Sequence, residues 1–183
     1  MIDRVGRFDL RVSRGEPHLA SLLRSIVYQQ LSGKAAATIH GRFLALFGGA
    51  TPAPEELLRQ PVEALRGAGL SEAKARSARD LCQRVVDGSL ALDALDALDD
   101  DAVIAALVPV RGIGVWSAQM FLIFHLGRLD VWPTGDLGVQ KGAAAVFETR
   151  GLPTPERMAR LGEPFAPYRT VLTHYLWRSL DAA

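Results

Sequence analysis

The chain has 183 residues, 49% hydrophobic and 22% charged, with a formal net charge of +1. That length holds one compact domain with its own core, or two small lobes, and no apolar run reaches the roughly 20 residues needed to span a bilayer. The single cysteine, Cys82, excludes an internal disulfide and any four-cysteine zinc or iron–sulfur site.

The segment Met1–Leu10 carries charges where a signal peptide needs its apolar stretch, so the expectation is an intracellular protein. Residues 1–16, with Gly6 and Gly15, read as an extended lead-in. From Pro17, apolar residues at Leu19, Leu22, Leu23, Ile26 and Val27 follow the three-four spacing of one helix face. Gly33 breaks that pattern, and a second helix runs from about Lys34 to Phe47, stopped by Gly48-Gly49. Pro52, Pro54 and Pro61 punctuate two short helical pieces. Ser71 caps a helix with the stripe Ala78, Leu81, Cys82, Val85 and Val86, ended by Gly88. Asp87, Asp93, Asp96, Asp99, Asp100 and Asp101 then gather acid in one stretch and leave the remainder basic. A positive face for a polyanion and a solvated surface of mixed charge both fit that asymmetry. Val103, Ile104, Leu107 and Val108 mark the next helix, and Val115–Leu126, apolar nearly all round, reads as central. A helix from about Asp136 to Phe147, short pieces near Pro155, and a last helix bearing Tyr168, Val171, Leu172, Tyr175 and Leu176 complete the chain. No segment alternates with a period of two, so the expected fold is all-α, roughly ten helices with short loops.

Pro109-Val110-Arg111-Gly112-Ile113-Gly114 joins two of these helices in a hairpin at about 101–126. Two glycines around one apolar residue permit a tight turn with backbone N–H groups at the surface. The helix opening at Val115 adds the positive end of its dipole, and the combination suits a phosphate. A plain tight turn has the same signature. Asp136 opens the following helix after the Gly/Pro-containing loop Gly127–Gly135, where a carboxylate meets a helix N-terminus; a simple N-cap aspartate also fits.

Taken in order, these residues resemble a known family. The run from Leu107 through Gly112-Ile113-Gly114, Trp116 and Asp130-Val131 to Asp136 resembles the helix-hairpin-helix, Gly/Pro-Asp superfamily of DNA glycosylases, and within it the 3-methyladenine DNA glycosylase II (AlkA-type) family. Ile26-Val27-Tyr28-Gln29-Gln30-Leu31-Ser32-Gly33-Lys34-Ala35-Ala36 is similar to the family's first conserved helix pair. Pro167-Tyr168-Arg169 through His174 to Trp177 is similar to its C-terminal helix, so the likeness runs from about residue 5 to the end. Two features depart from the pattern: Arg111 stands where the family's hairpin usually has proline, and the chain is expected to lack the N-terminal β-domain of longer members, as in the compact, two-lobed form.

The resemblance implies a single helix-hairpin-helix glycosylase domain over 1–183, two helical lobes flanking a cleft. It implies a monofunctional DNA glycosylase that excises alkylated bases of the 3-methyladenine type in base excision repair and leaves an abasic site. Asp136 is then the catalytic carboxylate, because breaking an N-glycosidic bond needs negative charge beneath a sugar of oxocarbenium character, and a carboxylate also orients water. An alkylated base is already cationic and leaves without an acid, so an electron-rich apolar pocket suffices. Trp116, Met120, Trp177 and Tyr28 are its expected lining. Trp177 lies on the side of Thr170, Thr173 and His174, off the apolar stripe of its helix, which sets it apart from a core residue. Arg111, Gly112, Ile113, Gly114 and Val115 are expected to hold DNA phosphate, and Leu31-Ser32 to plug the gap left by a flipped base. The expected partner is double-stranded DNA containing alkylated bases, with no membrane and no obligate protein partner. No cofactor is expected, and no catalytic metal, since His18, His40, His125 and His174 share no ligand spacing. The resemblance leaves room for a structural Na⁺ or K⁺ on the backbone carbonyls of Val108, Val110 and Ile113.

Strand-cleaving relatives place a lysine where this chain has Trp116, to form a Schiff base; without that amine, the expected product is an intact strand. Two rivals remain at this point. A non-catalytic helix-hairpin-helix DNA-binding module has no use for Asp136 and two tryptophans in register. A glycosylase for oxidised or mismatched bases needs polar groups to read a neutral base.

Overall fold

The computed structural model describes residues 5–13 and 15–181, with the backbone alone for Asp181; part of the N-terminal lead-in, residues 1–4 and 14, lies outside the described residues. Among the described residues run ten α-helices and no strand, so the fold is all-α. They are α1 (His18–Tyr28), α2 (Gly33–Ala45), α3 (Pro54–Arg59), α4 (Val62–Gly67), α5 (Glu72–Val86), α6 (Asp100–Leu107), α7 (Val115–Phe124), α8 (Leu137–Val146), α9 (Pro155–Gly162) and α10 (Arg169–Asp181). No helix among them is long and apolar enough to cross a membrane.

The chain divides into two compact units. One is continuous, Gly15–Ala118. Its centre is α5, against which α1, α3 and α4 pack, with α2 resting on α1. The apolar stripe of α1 is buried at Leu22, Leu23, Ile26 and Val27, and that of α5 at Ala78, Leu81 and Cys82. Burial pushes the Cys82 thiol up to about 12, with Glu55 adding to the shift, so it is a packing residue. The expected stripe of α5 runs out at its C-terminal end, where Val86 is 44% exposed. Ser71 caps α5 by accepting from the Lys74 N–H (3.2 Å), and Asp99 caps α6 by accepting from the Ala102 N–H (2.7 Å). The acidic stretch before α6 is therefore a 3₁₀ turn at Leu92–Ala97 followed by a helix cap.

The other unit joins the described residues before 15 to the chain from Gln119 onward. Here α8 packs on α10 around Trp132, Val139, Ala143, Met158, Leu172 and Leu176. The lead-in lies against this unit: the Ser13 N–H donates to the Phe124 carbonyl (2.9 Å), and Phe8 meets His174 edge-on at 5.0 Å between centroids. α7, expected to be central throughout, buries Ala118, Phe121, Leu122 and Ile123 but exposes Val115, Trp116 and Phe124 at its ends.

Candidate active site

Asp136 is the N-cap of α8 and is buried, 8% exposed. The loop before it is wound tightly. The Thr134 N–H donates to the Trp132 carbonyl (2.9 Å), the Asp136 N–H to the Pro133 carbonyl (3.0 Å), and the Gln140 side-chain amide to the Thr134 carbonyl (2.8 Å). Trp132 pins the start of this loop, its ring buried and its indole N–H donating to the Met158 carbonyl at 2.7 Å. Two donors converge on Asp136 Oδ1: the Val139 N–H at 2.7 Å and the Trp177 indole N–H at 2.9 Å. The first is ordinary helix capping. The second comes from α10, 41 residues along the chain, and capping does not require it. It is possible because Gly138 has no side chain; a Cβ there would lie 2.9 Å from Trp177 Cδ1 and 3.1 Å from Asp136 Oδ1. The indole is steadied by stacking on Phe124, with centroids 5.8 Å apart and rings inclined by 17°. A carboxylate buried and held by two N–H donors is a fixed negative charge of defined orientation.

Asp130, earlier in the same loop, has a different role. Arg169 forks onto it, Nε donating to Oδ1 and a terminal nitrogen to Oδ2, both at 2.7 Å. These side-chain bonds from Arg169 hold the Asp130 carboxyl below the usual carboxylate range. Asp130 ties the loop to the start of α10, and its charge is neutralised there.

In the continuous unit the hairpin between α6 and α7 is built as a projecting turn. Gly112 takes φ +78 and lies over α5, where a Cβ would come 2.6 Å from Ser77 Oγ. Ile113, 5% exposed, is buried between the exposed Gly112 and Gly114. Its N–H donates inward to the Val110 carbonyl at 3.0 Å. Ile113 was expected among the phosphate donors; with both groups turned inward it is the anchor of the turn, and Gly112, Gly114 and Val115 form its outer side. The Arg111 N–H donates to Asp80 Oδ2 at 2.8 Å. The turn between α1 and α2 sits beside this hairpin: the Gln29 amide donates to the Gly112 carbonyl at 2.9 Å, and Leu31 and Ser32 are exposed.

The structure thus brings Trp177 to Asp136, and the Tyr28–Ser32 turn to the hairpin. Trp116 is 51% exposed at the start of α7, and Met120 follows one turn later, half-buried. Tyr28 is half-buried, edge-on to His40 at 5.9 Å. The structure corrects the expectation that its side of α10 sets Trp177 apart from the core. Thr170, Thr173 and His174 are buried, and the Thr170 hydroxyl is satisfied there by accepting from the Val131 N–H (2.9 Å) and donating to the Arg128 carbonyl (2.8 Å). That side of α10 faces inward, and Trp177 itself packs against the core of its unit. The local sequence pattern does not mark Gly138, Trp132 or Lys74 as functional. A glycine in the first turn of a helix, where it weakens the helix, was the one available signal for Gly138. Among the described residues no group of three or more His, Cys, Asp or Glu is placed to hold a metal ion.

Comparison with known proteins adds to this geometry. The family described as HhH-GPD superfamily base excision DNA repair protein matches residues 23–167. DNA-3-methyladenine glycosylase 1 of Schizosaccharomyces pombe is 32% identical over 174 residues, covering 94% of this chain and 76% of that protein. The crystal structure of a DNA-3-methyladenine glycosidase from Bacillus halodurans superposes with a TM-score of 0.87 at 41% identity, covering 97% of this chain and 81% of that one. The Schizosaccharomyces pombe 3-methyladenine DNA glycosylase in complex with abasic DNA superposes with a TM-score of 0.82 at 31% identity, covering 98% of this chain and 89% of that one.

Proposed function

The chain belongs to the HhH-GPD superfamily of base excision DNA repair proteins, and on that premise we propose that it is a monofunctional DNA glycosylase of the 3-methyladenine type. It excises alkylated bases from double-stranded DNA inside the cell and leaves an abasic site in an intact strand. The observation that carries this reading is the convergence of the Val139 and Trp177 N–H groups on Asp136 Oδ1.

A purine alkylated on a ring nitrogen is cationic. When its C1′–N bond breaks, the electron pair goes to the ring and the base leaves neutral, with no proton required. Positive charge develops on the sugar, and a preorganised carboxylate stabilises it without reorganising at the moment of reaction. Water adds to C1′, and the proton it releases goes to the carboxylate or onward to solvent. In this scheme Trp177 orients Asp136, whereas Trp116 offers the exposed indole face that a cationic ring favours. Met120 and Tyr28 are assigned to the same base contacts. The outer side of the hairpin, with Arg111, takes the DNA backbone through phosphate, which makes binding independent of sequence. Leu31 and Ser32 fill the gap left by the extruded nucleotide. A Na⁺ or K⁺ on the carbonyls of Val108, Val110 and Ile113 fits the C-terminal end of α6, where the helix dipole is negative; its part would be structural. A non-catalytic DNA-binding module leaves the second donor on Asp136 unexplained.

Asp136→Asn tests the assignment cleanly, because the amide oxygen can keep both N–H bonds while the charge is lost. Release of free alkylated base from methylated DNA should fall by about 100-fold or more, with affinity for DNA little changed. Borohydride added to the wild-type reaction should trap no covalent species. Near-normal turnover by the variant would remove Asp136 from its role. A trapped adduct lost in Lys141→Ala would overturn the monofunctional assignment.

A further inference from the structure

One stripe of α5 is devoted to loops. Lys74, Ser77, Asp80 and Arg84 follow one another at helical spacing. Lys74 Nζ donates to the carbonyls of Val27 (2.8 Å) and Gln29 (2.6 Å), at the C-terminal end of α1 and the turn beyond it. A cation there meets the negative end of the α1 dipole and satisfies carbonyls that the helix cannot. Ser77 lies under Gly112 in the hairpin and leaves no room for a Cβ. Asp80 accepts the Arg111 N–H (2.8 Å) and Arg84 Nε (3.0 Å) on the same oxygen. Burial alone would raise the Asp80 carboxyl, but these bonds outweigh it and hold the group below its usual range. Gln29 closes the arrangement from above by donating to the Gly112 carbonyl.

Between Gln29 and α2 the chain reverses at Gln30, which takes φ +56. A residue with a Cβ enters that region at a cost and stays there when its surroundings over-determine it. The outcome is that Leu31, 38% exposed, is held out to solvent on a braced turn. All of these groups belong to the continuous unit, Gly15–Ala118.

We propose that Lys74 and Gln29 are positioning residues for base extrusion: the α5 stripe and the Gln29–Gly112 bond set the Leu31 turn at a fixed distance from the phosphate-gripping hairpin. Docking of the hairpin on the backbone then delivers Leu31 to the stack in a defined register with the gripped strand. Lys74 and Gln29 touch neither base nor sugar. Their loss impairs insertion and leaves both phosphate binding and bond cleavage intact. This rests on the excision reading above.

The test measures single-turnover release of alkylated base for Lys74→Met and Gln29→Ala, each made alone and together with Leu31→Ala. The alkylated base is presented either in a duplex or in an unpaired bubble, and thermal melting is recorded alongside. On duplex, each variant should lose about tenfold in rate, the scale expected when a group is misplaced from a distance. Affinity for undamaged duplex should stay within about twofold, because backbone contacts are unaltered. Neither variant should lose more in the Leu31→Ala background, since residues acting through Leu31 cannot add to its removal. The deficit should shrink on the bubble, where little stacking has to be broken. A loss fully additive with Leu31→Ala, an equal loss on both substrates, or an unchanged rate on duplex would overturn the proposal while leaving excision standing. A wild-type protein that releases no base would remove the excision reading and this proposal together. If Lys74→Met melts early, Gln29→Ala, whose bond lies at the surface, decides the matter alone.

Discussion

Asp136 owes its setting to a residue defined by what it lacks. Gly138 leaves the space through which the Trp177 indole reaches Oδ1, and the stack on Phe124 keeps the ring in that plane. Two substitutions probe this contact from opposite sides. Trp177→Phe removes the N–H and keeps an aromatic ring to stack. Gly138→Ala keeps the N–H and puts a methyl where the indole must pass. Each should slow base release about five- to tenfold, the equivalent of one hydrogen bond to a charged group or somewhat less. The double variant should be no slower than the worse single one, since both remove one interaction. Single-turnover release from methylated DNA measures all three. Full additivity would mean that Gly138 serves something other than the Trp177 bond. Asp130 marks the contrast: it carries the same carboxylate, but the Arg169 fork occupies both of its oxygens.

At the level of elements, the hairpin glycines are not equivalent, although their sequence context makes them look so. Gly112 has a positive φ and presses on Ser77, whereas Gly114 has open space around its missing Cβ. Gly112→Ala should therefore destabilise the fold by about 1–2 kcal/mol through strain, lowering the melting temperature. Gly114→Ala should melt like wild type. Both should weaken binding to damaged and undamaged duplex alike, Gly114→Ala because a methyl on the outer side holds phosphate off and Gly112→Ala because a methyl wedged against Ser77 displaces the turn, and phosphate carries no base information. Melting curves and fluorescence anisotropy on the two duplexes check this. A loss confined to damaged DNA would place the turn at the base instead of the backbone. α10 shows the same lesson on a larger scale. Leu172, Thr173, His174, Tyr175 and Leu176 are all buried, so the helix has no solvated side along this stretch.

For the molecule as a whole, stability should depend on pH through two histidines, one in each compact unit. His40 and His174 both lie below their ordinary value of 6.5, chiefly because burial disfavours the charged ring. Arg24 adds to the shift at His40 and Arg178 at His174, while Glu16 and Asp9 partly oppose them. Among the described residues His174 Nε2 is also buried without a hydrogen-bond partner. The unfolded chain then takes up these protons at a higher pH than the folded one. Stability from this source is full above 6.5 and falls as pH drops below it, until the rings titrate in the folded state. The Asp80 and Asp130 carboxylates, lowered from 3.8, lose their contribution only in more acidic solution. Melting temperature should decline from pH 7.5 to pH 5, and His174→Gln should flatten part of that slope. An unchanged slope in both His174→Gln and His40→Gln would assign it to other groups.

Helix positions, the hairpin and the place of Asp136 at a helix start were all determined by the sequence itself. The reason is that each depends on neighbours a few residues away: three-four spacing of apolar side chains, prolines and glycines at breaks, and a carboxylate at the position that caps. The tertiary structure alone decided what those residues serve. The indole on Asp136 comes from a helix 41 residues away, and the α5 stripe holds two loops that its own pattern does not mention. The polar side of α10 was legible as polar, but its burial was not, since the partners that satisfy its threonine lie in a distant loop. A local pattern records the chemistry a residue carries, and the packing of elements settles which other groups come within bonding distance of it.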